Sequence, residues 1–188
     1  MVAIGFGIKA IQTKYLGAEA YGVYAFFGSF TVFTALFFRF GFFSSLQVLL
    51  AENHSPSIEK ELFGTGFIVN FFIGISYGIF IWISSFYIDS VFNTQIGGIL
   101  RLVSPLTIII PTKSLINAMS IGSNRVQLIP MYDYLSKGLF LVALLVFAFS
   151  DSLTVFTTIL FNLITMLLSI FILRQQGEEW LSHPRHSP

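Results

Sequence analysis

The chain has 188 residues, of which 55% are hydrophobic and only 10% are charged, with a net charge of +1. Soluble domains average about 25% charged residues, so this composition predicts an integral membrane protein. The sequence contains no cysteine, which excludes disulfides, thiol chemistry and cysteine-ligated metal sites. The near-neutral net charge gives no reason to expect a nucleic-acid partner.

The first 13 residues are apolar, but Lys9 and Gln12 interrupt them. A helix of about 13 residues rises only ~20 Å, less than the roughly 30 Å of a hydrocarbon core. This segment is therefore either an interfacial helix or a first span whose beginning is missing, and we favour the truncated span. A short polar link follows, with Gly17 and Gly22 as turn candidates.

Residues 21–50 carry a single charged side chain, Arg39, and are long enough to cross a bilayer. An arginine near the middle of such a span costs about 2.5–3.5 kcal/mol on insertion scales. We therefore expect Arg39 to face a neighbouring helix or a water-filled cavity rather than lipid.

The next two apolar runs are predicted spans of different character. Residues 62–88 contain no charged side chain, and Gly74 and Gly78 form a small-xxx-small pattern suited to close helix packing. Residues 99–122 include Arg101 and Lys113. Two prolines inside this second run, Pro105 and Pro111, remove backbone hydrogen bonds and predict kinks.

Two more spans and a soluble tail complete the chain. Residues 126–149 include Asp133 and Lys137, which are four residues apart on one helical face, with the acid preceding the base. Residues 153–173 form the last span, and residues 174–188 form a soluble tail.

The sequence thus predicts an all-α, polytopic transmembrane helix bundle within residues 1–173, with about five full spans after a truncated first one. The predicted spans are 1–13 (partial), 21–50, 62–88, 99–122, 126–149 and 153–173. If residues 1–13 cross, the loops alternate between the two sides of the membrane. The loop at 52–61 and the tail then lie on the side that is richer in Lys and Arg, which is the cytoplasmic side by the positive-inside rule.

Catalytic patterns are missing from the predicted spans. Asp133 is their only acidic residue, and all three histidines lie in loops or in the tail. No Ser/His/Asp cluster, carboxylate pair or phosphate-binding glycine loop is recognisable. We therefore expect a non-enzymatic protein with no catalytic residues, no metal site and no cofactor.

Four cations remain inside the predicted full spans, Arg39, Arg101, Lys113 and Lys137, against the single acid Asp133. Several uncompensated cations in a bundle make physical sense if an anionic group, such as a phosphate or pyrophosphate, binds or passes there. The position of each cation can also be explained without a ligand. Arg101 and Lys113 could extend to the interface, and Lys137 could neutralise Asp133. Arg39 is the strongest candidate for a cavity.

Several short motifs resemble those of a known family. The segment Tyr15-Leu-Gly-Ala-Glu-Ala-Tyr-Gly-Val-Tyr24 resembles the R-x-L-G-P-E-x-Y-G-x-Y signature that follows the first helix of polysaccharide-biosynthesis flippases, also called O-antigen translocases. Weaker similarities follow at Phe40-Gly41, Ser44-Ser45, Ala51-Glu52, Leu100-Arg-Leu and Gly122-Ser-Asn-Arg125. Two positions depart from the family pattern. Ala18 replaces a common proline, and Arg39 stands where an acidic or neutral residue is expected.

The family belongs to the multidrug/oligosaccharidyl-lipid/polysaccharide exporter superfamily. The resemblance implies one lobe of a two-lobed transporter in the inner (plasma) membrane, whose partners are the bilayer and an undecaprenyl-pyrophosphate-linked oligosaccharide. One lobe cannot enclose a two-sided cavity. The chain would therefore be the amino-terminal part of a longer protein, or would pair with a second lobe or with another copy of itself. We favour the first.

Other functions stay open. A multidrug or cation antiporter of the same fold would need a membrane-embedded acid for ion coupling, and Asp133 is the candidate. A non-transporting membrane subunit would have its cations paired by a partner's acids. A membrane glycosyltransferase or polymerase is the weakest alternative, because the expected acidic motif and extended loop are missing.

Overall fold

The structure, a computed structural model, describes residues 2–39, 41–52, 55–150 and 152–181. These residues are almost entirely helical, and no strand occurs among them. The helices are α1 (Val2–Phe38), α2 (Phe42–Glu52), α3 (Pro56–Ser84), α4 (Ile88–Phe92), α5 (Gly97–Thr107), α6 (Ile110–Gly122), α7 (Leu128–Phe149) and α8 (Val155–Leu181).

Five segments among the described residues are long and apolar enough to cross a membrane: Ile4–Phe38, Ser57–Ser84, Gly97–Gly122, Leu128–Phe149 and Val155–Ile172. The apolar helix α2 is shorter. The predicted fold class is confirmed: the protein is an all-α, multi-pass membrane bundle.

Helix α1 consists of two arms that meet at Gly17, whose backbone has φ +78° and ψ 168°. Ile8 and Ile11 from the first arm share a hydrophobic cluster with Tyr24 from the second, and the Gln12 side chain lies close enough to interact with the Tyr24 hydroxyl. In a straight helix, residues 12 and 24 would lie ~18 Å apart. The chain therefore folds back at Gly17, inside the polar link that separates the first two predicted spans.

The prediction of one continuous helix over residues 21–50 is wrong. Helix α1 ends at Phe38, and α2 begins at Phe42. At the break, the Phe42 amide donates a hydrogen bond to the Arg39 carbonyl (3.0 Å), and Gly41 has φ +72°. A left-handed residue cannot continue a right-handed helix, so the chain changes direction here.

A second break divides the span over residues 97–122 between α5 and α6. Pro105 lies inside α5, and Pro111 lies in the first turn of α6, so neither can donate a helical backbone bond. A Cβ atom at Gly74 of α3 would lie 2.8 Å from the Ile108 carbonyl oxygen. The glycine therefore permits α3 to pack directly against the break, as its small-xxx-small pattern predicts.

The connection from α3 to α5 is more ordered than the predicted loop over residues 89–98. Helix α3 ends at Ser84, and the short helix α4 follows. The Asp89 carboxylate accepts hydrogen bonds from the Ile96 and Gly97 amides (both 2.9 Å) and from the Thr94 hydroxyl (3.0 Å). Asp89 therefore satisfies free amides at the start of α5, where a negative charge also suits the helix dipole.

Three hydrophobic clusters form the interior. The first combines the second arm of α1 with α3, α5 and α8, the second combines α2 with α3 and α6, and the third combines the first arm of α1 with α7 and α8. Tyr77 of α3 is fully buried in the first cluster. Its hydroxyl donates a hydrogen bond to the Thr31 carbonyl (2.8 Å) and lies 3.1 Å from the Thr34 hydroxyl.

At the carboxyl end, α8 continues to Leu181. The predicted tail over residues 174–188 is therefore helical over its first part, and residues 182–188 lie outside the described residues.

Candidate functional site

Arg39 lies at the depth of the uncharged part of α3. On one side of Arg39 in the chain, Thr31 and Thr34 contact Tyr77. On the other side, the Leu46 side chain packs at Gly66. Gly66 and Tyr77 both belong to the predicted charge-free span over residues 62–88. The backbone of Arg39 therefore sits well inside the apolar zone, at the break that separates α1 from α2.

Arg39 forms part of the wall of an open cleft of about 190 Å³. The residues lining the cleft come from the α1–α2 break, α2 and α6: Arg39, Gly41, Phe43, Ser44, Gln47, Ser114, Asn117 and Ala118. Arg39 itself is exposed. Because the break ends the helical rise of α1, it opens this space beside α6.

The cleft offers both hydrogen-bond donors and acceptors. The Arg39 guanidinium supplies a cation with several N–H donors. The Oδ1 atom of Asn117 is buried and has no hydrogen-bond donor among the described residues. Buried polar atoms in native proteins are nearly always paired, so this amide oxygen is an unsatisfied acceptor just behind the cleft wall. Ser44, Gln47 and Ser114 add neutral polar groups.

Sequence reasoning identified Arg39 but missed the neutral lining residues Ser44, Gln47, Ser114 and Asn117. One signal was available for two of them. Ser114 and Asn117 are three residues apart, and Asn117 is four residues after the predicted Lys113. This spacing places the three side chains along neighbouring rows of one helix surface.

Lys113 and Asp133 form an ion pair between α6 and α7. The Lys113 Nζ atom donates a hydrogen bond to Asp133 Oδ1 at 2.8 Å, with 42% and 21% of the two side chains exposed. The same ammonium lies 5.9 Å from the centre of the Tyr132 ring. Lys113 is thus held by a tertiary contact, and it adjoins the Ser114 wall of the cleft.

The interpretation in which Lys137 neutralises Asp133 is not what the structure shows. Among the described residues, Lys137 makes no ion pair, and Asp133 is bound by Lys113. The neighbouring helix α6 places the Lys113 ammonium against the Asp133 carboxylate. Lys137 lies on the same helix as Asp133, one turn further along α7. The half-buried Lys137 therefore adds a second uncompensated positive charge near the pair.

Arg101 does not belong to this group. It lies on α5, about 18 Å along the span from Lys113 if the rise is close to helical. Its guanidinium stacks on the Phe86 ring, with 3.9 Å between the guanidinium carbon and the ring centre. Of the four predicted cations, Arg39 is the one that lines the cleft. Lys113 pairs with Asp133, Lys137 lies one turn further along α7, and Arg101 lies elsewhere.

The positive charge of this region is not matched by acidic groups among the described residues. In the part of the chain that the structure describes, no group of three or more His, Asp or Glu side chains is placed to hold a metal ion. One acid is balanced by Lys113, and Arg39 and Lys137 remain without an acidic partner among the described residues. Arginine in particular matches phosphate oxygens with two parallel hydrogen bonds.

Comparison of the chain with protein-family models, with curated protein sequences and with solved structures found no significant match in any of the three.

Proposed function

We propose that the chain is one lobe of a flippase that moves an undecaprenyl-pyrophosphate-linked oligosaccharide across the inner membrane, for the assembly of a surface polysaccharide such as O-antigen. The observation that carries the proposal is the placement of Arg39 in an open polar cleft at membrane depth. A cation in this position has a large cost against lipid, and an anionic ligand would offset that cost.

The composition of the cleft suits the two polar parts of such a substrate. The Arg39 guanidinium would bind the pyrophosphate, with Lys137 adding to the positive potential. The Ser44, Ser114 and Gln47 groups in the cleft wall would bind sugar hydroxyls. The prenyl chain would remain in the bilayer, so the protein needs to shelter only the polar head.

The family resemblance adds a second line of support, because its most specific residues have a structural role. Gly17 in the Leu-Gly-x-Glu-x-Tyr-Gly segment adopts φ +78°, a conformation that favours glycine. The resemblance thus includes the residue on which the α1 hairpin depends, as well as apolar composition that many membrane proteins share.

A cation antiporter of the same fold is less well supported. It would need a membrane-embedded carboxylate that is available to Na⁺ or H⁺, and the candidate Asp133 already binds the Lys113 ammonium at 2.8 Å. A non-transporting subunit would use the cleft to pack against a partner. In that case a partner's acid would neutralise Arg39, and loss of the chain would destabilise that partner.

The test is charge reversal by Arg39→Glu in the host that encodes the chain, with Lys60→Glu as the matched control. Lys60 is exposed in the first turns of α3, outside the apolar zone, so the two variants have the same change in net charge. We expect Arg39→Glu to abolish surface polysaccharide and to cause the lipid-linked oligosaccharide to accumulate, with normal amounts of the protein in the membrane.

The Lys60→Glu variant should export normally, and Arg39→Lys should retain part of the export. Unchanged export in Arg39→Glu would refute the assignment of Arg39. Normal export together with the loss of a second membrane protein would favour the subunit instead.

A further inference from the structure

A second concavity, distinct from the polar cleft, lies between α3 and α5. This apolar groove has a volume of about 250 Å³ and is lined by Ile75, Gly78, Ile79, Trp82, Ser104, Pro105 and Ile108. Ile79 and Trp82 are 54% and 47% exposed. Pockets that enclose a drug-sized ligand measure roughly 300–1,000 Å³. The groove is smaller and open along one side, which suits a single hydrocarbon chain.

Arg101 closes one end of this groove. It lies one helical turn before Pro105 on α5, and Phe86 lies in the turn just after α3, four residues after Trp82. The Arg101 guanidinium carbon is 3.9 Å from the centre of the Phe86 ring, and the Trp82 and Phe86 ring centres are 4.9 Å apart. The two walls of the groove therefore meet at an exposed cation.

The depth of Arg101 matches a phospholipid phosphate. Helix α5 begins at Gly97 beside the Asp89 loop, so Arg101 is about 6 Å inside the span, and Ile108 lies about 10 Å deeper still. Leu102, next to Arg101, is 70% exposed, as expected of a lipid-facing side chain. The cation is thus close to the membrane interface, and the groove extends from it into the hydrocarbon zone.

Arg101 forms no ion pair among the described residues. Asp89 is the acidic residue of the adjoining loop, and its carboxylate accepts the Ile96 and Gly97 amides and the Thr94 hydroxyl. The guanidinium has donors left for an external anion, and stacking on Phe86 fixes its plane.

We propose that this groove is a binding site for an anionic phospholipid of the bilayer, with the phosphate held by Arg101 and one acyl chain lying between α3 and α5. Charge complementarity selects the headgroup, and the apolar lining selects the chain. The site is independent of the proposed flippase function. It removes Arg101 from the substrate-binding cations and gives it a separate ligand.

Trp82 is a built-in reporter, because it lines the groove and Trp180 is the only other tryptophan in the sequence. The full chain carrying Trp180→Phe is reconstituted in phosphatidylcholine vesicles that contain a minor fraction of phosphatidylglycerol. In one set the phosphatidylglycerol has brominated acyl chains, which quench nearby tryptophan fluorescence. In the other set the same fraction of phosphatidylcholine is brominated. We expect brominated phosphatidylglycerol to associate with Trp82 about fivefold more strongly, a factor typical of one arginine near an anionic surface.

Substitutions of Arg101 and of Ile79 test the headgroup contact and the acyl-chain contact separately. Arg101→Gln should remove the preference, Arg101→Lys should retain most of it, and Lys60→Gln, which has the same charge change as Arg101→Gln, should leave it intact. Ile79→Phe fills the groove and should also reduce the preference, whereas Leu102→Phe on the exposed neighbouring position should not. Monodisperse elution and an unchanged Trp82 emission in pure phosphatidylcholine establish that each variant is folded.

Equal quenching by the two brominated lipids would overturn the proposal, as would a preference that survives Arg101→Gln. A preference that is unaffected by Ile79→Phe would show headgroup attraction without a chain in the groove, and would likewise overturn it. Displacement of the brominated phosphatidylglycerol by a stoichiometric amount of polyprenyl phosphate would assign the groove to a prenyl chain instead of a bilayer phospholipid.

Discussion

The Lys113–Asp133 pair provides the sharpest test of how the helices are arranged. The two side chains come from different helices, and their atoms are 2.8 Å apart. Substitution of one partner alone, by Lys113→Met or Asp133→Asn, leaves the other charge without its counter-ion at membrane depth. Substitution of both partners removes the two charges together. The double variant should therefore be more stable than the sum of the two single losses indicates.

The exposed fractions of 42% and 21% set the expected size of this coupling. Fully exposed pairs contribute about 0–1 kcal/mol, and breaking a buried pair costs about 3–5 kcal/mol. A half-buried pair lies between these limits, so we expect a coupling energy of about 2 kcal/mol. For a protein of this size, that energy corresponds to a difference of about 4–8 °C in melting temperature.

The assay is a double-mutant cycle on the purified protein in detergent, followed by thermal unfolding. A parallel cycle pairs Lys137→Met with Asp133→Asn, and it should be additive to within about 0.5 kcal/mol because the structure contains no Lys137–Asp133 contact. The reasoning is refuted if Asp133 couples more strongly to Lys137 than to Lys113. That result would favour the local pair expected from the four-residue spacing.

Two further substitutions test the turns that organise the lobe. Gly17→Ala should lower the free energy of unfolding by about 1–2 kcal/mol, because a side chain is disfavoured at φ +78°; Gly5→Ala, where an added Cβ meets nothing within 4 Å, should have no such effect on the melting temperature. Asp89→Ala should cost about 1–3 kcal/mol, since the Ile96 and Gly97 amides lose their acceptor. Asp89→Asn should recover part of that loss, and equal melting of the Ala variant and the wild type would contradict the capping role.

The membrane class could be predicted because it depends on local composition. Runs such as residues 62–88 need only a lack of charge and enough length, and both can be read directly from the sequence. Gly17 was also identifiable as a turn candidate, and Pro105 and Pro111 as the cause of a kink. These features have their origin in the backbone chemistry of single residues.

The break at residues 39–41 was not predicted, because apolar content alone does not distinguish a continuous helix from an interrupted one. Phe38 and Phe42 are equally compatible with both. The change of direction at Gly41 depends on how α2 packs against α6 and α3, where Leu46 and Leu50 are buried. Tertiary packing therefore decided the outcome, and Gly41 was a local signal for a break that the prediction did not use.

To predict the composition of the cleft and the ion-pair partner of Asp133, the relative rotation of α6 and α7 would have to be known. The sequence places Lys137 at a favourable distance from Asp133 along one helix, but it contains no information on which residue of another helix arrives at the same carboxylate. The unpaired Asn117 amide was hidden for the same reason, since its burial depends on neighbours that are far away in sequence.

The α1–α2 and α5–α6 breaks affect how the helix bundle can bend. The break after Phe38 lies level with the part of α3 between Gly66 and Tyr77, and the break at Ile108 packs against Gly74 and Gly78 of α3. Both interruptions therefore occur at a similar height in the bundle. They separate the α1–α5–α8 cluster from the α2–α6 cluster, while α3 contributes side chains to both. The bundle thus consists of two groups of helices, and the continuous helix α3 packs against both. Tilting one group against the other would bend α3, and at the two interruptions it would act on short turn bonds such as Phe42–Arg39 (3.0 Å) and Ile109–Leu106 (3.2 Å) instead of on a continuous helix.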